Sequence, residues 1–273
     1  MMIIRAIFLT FLTLLSFGVN ADVIGWWTGN GNANDSSGLH NDGAFSGSYS
    51  PGRLGSDQAF DLATGIVTIP DHPAYDLQAY SDWSVSFWFN QNGNYPTNMT
   101  FLGQDVGLGE KPKWFIDYNY GYSAYGPPTA ATANAFELHL NNWGSTPREF
   151  LQSASVSIPA GWNEFTLTKV PNWLTFYLNG ASLGTVYYSG IIPDVPASLI
   201  FGYLEPCCGY NGLIQDIVIT ASVPEPDIYV MMSLGLCVAG WQVRRQRLRS
   251  AGAGSNAPNS RDVSPCRRSA KAV

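Results

Sequence analysis

The stretch from Asp82 to Asn90 most restricts what this chain can fold into. Its side chains alternate, so that one face of an extended strand carries Trp83, Val85, Phe87 and Phe89. A period of two residues is that of a β-strand. Asn179-Gly180 is the strongest hairpin signal in the chain, because a two-residue type I′ turn needs two positive φ angles. No window carries a sustained helical period, and Gly, Pro, Asn and Ser recur about every ten residues, which predicts an all-β sandwich.

The other strands are predicted from similar patterns. They are 22–27, 59–62, 66–69, 99–103, 113–119, 135–141, 162–170, 173–178, 183–188, 198–204 and 213–220. The strands at 59–62 and 66–69 are predicted to pair around Thr64-Gly65. Because no linker or repeat divides residues 22–222, we expect one domain there.

The charge of this domain excludes one class of partner. Residues 22–222 contain 17 Asp and Glu residues against five Lys and Arg residues, a net charge of −12, whereas the whole chain carries −6. Nucleic acid needs a basic face, so we expect no nucleic-acid binding. Acidic side chains serve solubility or hold calcium.

The first residues predict export. Residues 1–21 contain Arg5, an apolar stretch from Ala6 to Val19, and the small-x-small sequence Val19-Asn20-Ala21. This is the pattern of a cleaved signal peptide, so the mature chain is expected to begin at Asp22. A first transmembrane helix is the alternative.

The C-terminal region combines three features in a fixed order. Val223-Pro224-Glu225-Pro226 comes first, an apolar run from Ile228 to Trp241 follows, and Arg244 and Arg245 begin an arginine cluster. The run spans roughly 21 Å as a helix, against about 30 Å of hydrocarbon, which leaves a buried amphipathic helix as an alternative to an anchor helix. Arginines after an apolar run indicate a stop-transfer segment.

This order resembles the PEP-CTERM sorting signal. The resemblance implies processing by an exosortase-type enzyme, a membrane-anchored intermediate, and delivery to the cell surface or extracellular matrix of a Gram-negative-type bacterium. The signal is assigned to 223–249, with a transmembrane segment, although such signals usually end soon after the arginines. The remaining residues, 250–273, are rich in Ser, Ala, Pro and Arg and predict a basic disordered tail.

Five motifs in the central region occur in the order of a laminin-G-like domain of the bacterial type. They are the segments 29–38 (GNGNANDSSG), 59–61 (AFD), 83–89 (WSVSFWF), 176–180 (FYLNG) and 212–219 (GLIQDIVI). The resemblance implies a concanavalin A-like jelly-roll sandwich of two antiparallel sheets. It also implies a binding or adhesion module for carbohydrate or protein, often with a structural calcium ion.

The loop at 28–42 is the candidate calcium site. Calcium takes several oxygen ligands, and this loop is rich in Asn and Asp. In jelly rolls of this family the first and last strands lie side by side, which would bring Asp216 near the loop. Asp35 and Asp216, completed by backbone carbonyls, are therefore the predicted ligands. The alternative is that the Asn, Asp and Gly residues only form turns.

Catalytic patterns are weak. The Glu-x-Asp-x-x-Glu spacing of β-glucanases is missing, and the acidic strand residues Asp117 and Glu137 look isolated. There is also no Gly-x-Ser-x-Gly motif. The sequence therefore favours a non-enzyme.

The predicted ligand-binding residues are aromatic, although alternating aromatics are more often core. The tyrosine-rich segment at 118–125 and a later tryptophan supply them: Tyr118, Tyr122, Tyr125 and Trp143. Cys207 and Cys208 are predicted either to form a strained vicinal disulfide or to remain two buried thiols.

Together these patterns predict an exported, surface-sorted binding module that recognises extracellular polysaccharide or a surface protein without catalysis. Two alternatives remain. One is a glycan-active hydrolase of the concanavalin A-like fold, and the other is a structural matrix protein with no discrete ligand.

Overall fold

The computed structural model describes residues 21–91, 99–107, 111–119, 134–141, 149–202 and 209–222, together with Leu236, Gly240 and Trp241. The strands, numbered in chain order, are Ala21–Trp27 (β1), Ala44–Phe45 (β2), Tyr49–Pro51 (β3), Gln58–Asp61 (β4), Val67–Ile69 (β5), Trp83–Gln91 (β6), Met99–Asp105 (β7), Lys113–Asn119 (β8), Ala135–Asn141 (β9), Glu149–Gln152 (β10), Trp162–Val170 (β11), Trp173–Leu178 (β12), Ala181–Tyr187 (β13), Leu199–Phe201 (β14) and Gly212–Ser222 (β15). Two single-turn 3-10 helices, Pro73–Tyr75 and Leu77–Ala79, lie between β5 and β6.

The strands form two antiparallel sheets. Sheet I has eight strands in the order β13-β12-β11-β6-β15-β4-β3, with β1 also paired to β15. Sheet II has seven strands in the order β10-β9-β8-β7-β14-β5-β2. The predicted all-β architecture of two antiparallel sheets is therefore confirmed.

The core between the sheets is aromatic. Phe87 and Phe165 of sheet I meet Phe101 and Phe136 of sheet II, with ring centroids 5.0 Å apart for Phe87 and Phe101 and 4.4 Å apart for Phe136 and Phe165. All four are fully buried. Phenylalanine buries a large apolar area, and such ring pairs add about 0.5–1.5 kcal/mol each beyond that burial. The alternation of 82–90 arises because every second side chain of β6 faces these rings.

Two local predictions are confirmed in detail. The first and last strands of the domain lie side by side, with Ala21 opposite Ser222 and Trp27 opposite Ile217. Asn179 and Gly180 both have positive φ, 50° and 76°, and join β12 directly to β13. A type I′ turn requires these two angles, and its twist matches that of the strands it connects.

The predicted pairing of the strands at 59–62 and 66–69 is wrong. β4 pairs with β3 and β15 in sheet I, whereas β5 pairs with β2 and β14 in sheet II. The intervening residues carry the chain across the edge of the sandwich. Gly65 lies directly against Gly47 there, so neither position has room for a side chain. β2, β3 and β10, which have two to four residues each, were not predicted.

The predicted segments at the chain ends fall mainly outside the described residues. Residues 1–20 of the expected signal peptide are among these, as is the sorting motif Val223-Pro224-Glu225-Pro226 with Arg244 and Arg245. Beyond residue 222 the structure describes Leu236, Gly240 and Trp241, each helical. Within the described part of the chain, no helix has the length and hydropathy needed to cross a membrane.

Candidate functional site

A row of polar side chains lies on the outer face of sheet II. In β8, Trp114, Ile116 and Tyr118 face the core between the sheets, so the alternate side chains face outward. On β8 and its neighbour β9, these outward side chains are nevertheless buried. They are Lys113, Phe115, Asp117, Glu137, His139 and Asn141, which we call the polar row.

The register of the sheet brings two carboxylic acids face to face. Asp117 of β8 lies directly opposite Glu137 of β9, and Gln152 of β10 lies opposite Glu137 on its other side. Directly opposed residues of antiparallel strands have Cβ atoms about 4.5–5.5 Å apart. The exposed fractions of Asp117 and Glu137 are only 3% and 2%. Gln152 donates a hydrogen bond from Nε2 to Oε2 of Glu137 at 2.6 Å, which fixes the orientation of that carboxyl.

An imidazole stands beside this pair. His139 Nδ1 lies 4.0 Å from Oε1 of Glu137. Its ring stacks on Phe115, with centroids 4.3 Å apart, and meets Phe150 edge-on at 4.7 Å. These two aromatic rings hold the imidazole from both sides. The imidazole is therefore held in a fixed orientation next to the Glu137 carboxyl group.

An ion pair lies at one end of the polar row. Lys113 Nζ lies 3.5 Å from Oδ1 of Asp105, and both side chains are 3% exposed. Buried charges require such pairing because the desolvation of an isolated ion is costly. A lysine, two carboxylic acids, an imidazole and one amide therefore share this buried face of β8 and β9.

The sequence interpretation of Asp117 and Glu137 as isolated is wrong. Their strands were predicted with the correct bounds, but the register that places them opposite each other depends on the whole sheet. A signal was present, since polar or charged residues alternate with large apolar ones in both 113–119 and 135–141. Carboxyl and imidazole groups are those that exchange protons in enzymes, but here they are only 2–3% exposed.

The predicted calcium loop is organised around Asp35. Its Oδ1 accepts hydrogen bonds from the backbone N–H groups of Trp26 at 3.0 Å and Ser37 at 2.8 Å. Its Oδ2 accepts from the Ser37 hydroxyl at 2.7 Å and the Asn41 N–H at 3.0 Å. Burial by itself would raise the pKa of Asp35, but the hydrogen bonds from Ser37, Trp26 and Asn41 outweigh it and hold the pKa below its ordinary value.

Asp216, the second predicted ligand, sits in a bulge of β15. The register shifts between Gln215 and Val218, and Asp216 has φ of 50°. Its carboxylate lies 3.9 Å from the Arg53 guanidinium. Burial raises the pKa of Asp216, and Arg53 and the Trp26 side chain offset part of this increase. Asp35 and Asp216 thus both contact Trp26, one at its backbone N–H and the other at its side chain.

The two carboxylates are engaged with different protein groups. Within the residues that the structure describes, no group of three or more His, Cys, Asp or Glu side chains is arranged to hold a metal ion. Calcium at Asp35 and Asp216 stays a prediction, and binding would require an exchange of the present hydrogen bonds for the ion. Other polar side chains of the loop serve turns or hold the loop to neighbouring strands: Asn32 Oδ1 accepts from Asn34 N–H at 2.9 Å, and Asn41 Nδ2 donates to the carbonyl oxygen of Ile24 at 3.3 Å.

The predicted ligand-binding aromatics divide into two groups. Tyr118 is buried in the core, where its ring meets Phe136 at 5.0 Å and its hydroxyl donates to the carbonyl oxygen of Val156. It faces away from the polar row. Tyr122, Tyr125 and Trp143 lie outside the described residues, and so do Cys207 and Cys208.

Comparison with known proteins supports the fold. No model of a protein family matches the sequence, and no curated protein matches it. Among solved structures, the chain is similar to domain 4 of AbnA, a GH43 extracellular arabinanase from Geobacillus stearothermophilus, in complex with arabinotriose. The identity is 19% and the TM-score 0.54, over 76% of this chain and 96% of that one.

Two toxin structures are similar in the same way. The botulinum neurotoxin serotype D binding domain has 15% identity and a TM-score of 0.52, over 77% of this chain and 51% of that one. The binding domain of botulinum neurotoxin DC in complex with SialylT has 16% identity and a TM-score of 0.50, over 79% and 52%. The match thus spans about half the length of the toxin chains. At these identities, what is shared is the two-sheet β-sandwich fold.

Proposed function

We propose that this protein is a non-catalytic binding or adhesion module that recognises extracellular carbohydrate. One observation carries the proposal: over 76% of its length this chain is similar to an arabinanase domain in complex with arabinotriose, and the match covers 96% of that domain. Botulinum neurotoxin binding domains of similar fold, one in complex with SialylT, support a binding role over a catalytic one. A binding domain needs only a shaped surface with aromatic and polar groups.

The side chains of the polar row are at most 3% exposed, so the proposed contacts with a sugar come from other residues. Tyr122, Tyr125 and Trp143 are proposed to add aromatic faces for stacking. The proposed partner is a polysaccharide of the extracellular matrix or a glycosylated surface protein.

A glycan array tests this proposal directly. The recombinant segment 22–222 contains nearly all of the described sandwich and its core, and we expect it to bind at least one polysaccharide. Tyr122→Ala and Trp143→Ala are each expected to weaken that binding by about 1–3 kcal/mol without a change in melting temperature. Ile191→Ala, at an apolar position that is 66% exposed, is the matched control. A segment that binds no glycan contradicts the proposal.

Export and sorting are part of the proposal. The signal-peptide pattern of residues 1–21 and the Val223-Pro224-Glu225-Pro226 signal support delivery to the surface by an exosortase-type enzyme. Replacing Pro224, Glu225 and Pro226 with alanine is expected to leave the protein unprocessed in the membranes of its own host. Unchanged size and surface delivery of this variant would refute the sorting proposal.

A glycan hydrolase is the second candidate function, and the facing pair of Asp117 and Glu137 is the observation behind it; the two side chains are at most 3% exposed, so a substrate would have to reach them below the surface. Retaining glycosidases need an acid and a nucleophile about 5–5.5 Å apart. Release of reducing ends from polysaccharides would distinguish the two functions. Release that disappears in both Asp117→Asn and Glu137→Gln, while glycan binding persists, would identify an enzyme.

A further inference from the structure

We propose that the outer face of sheet I is a second, flat binding surface for neutral polysaccharide chains. This surface belongs to the opposite sheet from the polar row. The inference takes from the proposed function only the carbohydrate nature of the partner. The partner is a polysaccharide without charged groups, and it would lie on the outer face of sheet I.

The sheet register aligns hydroxyl groups across five adjacent strands. Core residues such as Phe176 and Leu167 face inward, so their chain neighbours face outward. Opposed positions on β13, β12, β11, β6 and β15 then form one line, which we call the hydroxyl row: Thr185, Thr175, Thr168, Ser84 and Thr220. Strands lie about 4.8 Å apart, so the row is about 19 Å long.

Hydrogen bonds within the row fix its ends. The hydroxyls of Thr175 and Thr185 lie 3.0 Å apart, and those of Ser84 and Thr220 lie 2.7 Å apart. Each hydroxyl has one donor and two acceptor positions, so a pair that shares one bond retains capacity for a ligand. A regular line of donors and acceptors suits a polymer that repeats its own hydroxyls.

Exposed aromatic rings border the hydroxyl row. Trp173 and Tyr187 lie opposite each other on β12 and β13, with exposed fractions of 51% and 56%. Their rings meet edge to face at 5.1 Å, which supports both side chains in the absence of a covering layer. Val170, opposite Trp173 on β11, is also exposed. Contiguous exposed apolar groups of this kind mark interaction sites.

A second row next to the hydroxyl row continues the same chemistry. Its members are Tyr177, Thr166, Ser86, Val218 and Trp26. Trp26 is 39% exposed at the far end of the sheet from Trp173. The surface therefore carries hydroxyls in its middle and indole rings toward two ends, so an extended chain fits it better than a short oligosaccharide does.

The charge of the surface selects the partner. None of the ten side chains of the two rows is charged, whereas the domain as a whole carries −12. An acidic polysaccharide is repelled by the net charge and finds no cation in the rows. A neutral polysaccharide loses no ionic hydration when it binds, and its hydroxyls and apolar ring faces match the hydroxyls and aromatic rings.

Sedimentation with insoluble polysaccharides tests the inference. The probes are microcrystalline cellulose, curdlan and insoluble xylan as neutral polymers, and alginate beads as an acidic one. We expect the segment 22–222 to sediment with at least one neutral polymer and not with alginate. Thr168→Glu, which places a charge in the middle of the hydroxyl row, and the double variant Trp173→Ala/Tyr187→Ala should each weaken this binding at least about tenfold.

Two matched controls accompany these variants. Ala160→Glu adds the same charge at an exposed loop position outside both rows, and Ile191→Ala removes an exposed apolar side chain elsewhere. Both should bind as the wild type does. Melting temperatures within a few degrees of wild type establish that each variant is folded.

Four outcomes would overturn the inference. If none of the three neutral polymers retains the segment 22–222, or if alginate alone does, the surface does not select neutral polysaccharides. Wild-type affinity in the two surface variants locates binding elsewhere and leaves the proposed function intact. Sedimentation velocity that shows a wild-type dimer, converted to a monomer by Thr168→Glu, makes the surface a contact between copies of this chain. A domain that also fails on the glycan array overturns both the inference and the proposed function.

Discussion

Removing the Asp35 carboxylate should open the loop that precedes β2. In Asp35→Ala, the N–H groups of Trp26 and Asn41 and both donors of Ser37 lose their acceptor. Ser37 is partly exposed, so water can replace the carboxylate at its two donors. The N–H of Asn41 is buried and the hydrogen bond of the Trp26 N–H is partly buried; left unsatisfied, each costs about 1.5 kcal/mol, which gives about 3 kcal/mol for the free energy of unfolding.

Urea denaturation of the segment 22–222, followed by tryptophan fluorescence, measures this loss. A change of about 3 kcal/mol in a domain of this size corresponds to roughly 6–12 °C in melting temperature. Asp42→Ala is the matched control in the same loop, because Oδ1 of Asp42 accepts a single hydrogen bond, from Asp35 N–H at 2.8 Å. We expect about 1 kcal/mol for that variant.

The pH dependence gives a second readout of the same interaction. Because the hydrogen bonds hold the pKa of Asp35 below its value in the unfolded chain, the stabilisation is fully present above the ordinary carboxyl pKa. It is lost as the pH falls through the folded-state pKa. The difference between wild type and Asp35→Ala should be constant near neutral pH and narrow below about pH 4. A difference no larger than that of Asp42→Ala, or one that stays constant in acid, would show that the carboxylate does not hold the loop.

The remaining predictions concern calcium and two glycines. Millimolar calcium should raise the melting temperature of the segment 22–222, because an ion that binds the folded state stabilises it. Asp216→Ala should abolish this rise. An unchanged melting temperature of the wild type in calcium would exclude the site. Gly180→Ala should cost about 1 kcal/mol in denaturant titrations, because φ is 76° but the space around the position is open. Gly103→Ala should cost more than about 3 kcal/mol, since its Cβ would collide with the backbone of Trp114 and Phe115; equal losses at the two positions would contradict this reasoning.

Those parts of the fold that are encoded locally could be predicted from the sequence. The alternation in 82–90 reflects which side chains of β6 face the core, and Asn179-Gly180 sets its own turn through two φ angles. The bounds of β8 and β9 agree with the prediction for the same reason. Each of these features depends on a few consecutive residues.

Pairing between distant strands could not be predicted in this way. The strands at 59–62 and 66–69 look like a hairpin, yet the chain passes between sheets there because each strand finds partners far away in sequence. Asp117 and Glu137 are 20 positions apart, and only the register of β8 with β9 makes them neighbours. Tyr118 was predicted to bind a ligand as the first residue of the tyrosine-rich segment, but the period-two alternation of β8 directs it into the core.

The polar row is a poor way to stabilise a sheet. A buried ion pair such as Lys113 and Asp105 recovers little more than its desolvation cost, and well-packed apolar residues of similar volume are often as stable or more so. The inner face of the same strands shows that apolar residues suit these positions, since Ile116 and Leu138 are fully buried there. Stability alone therefore does not account for Asp117, Glu137 and His139 on the outer face. What these groups supply is fixed geometry, because hydrogen bonds such as that from Gln152 Nε2 to Glu137 Oε2 orient the buried side chains and hold the register of β8, β9 and β10.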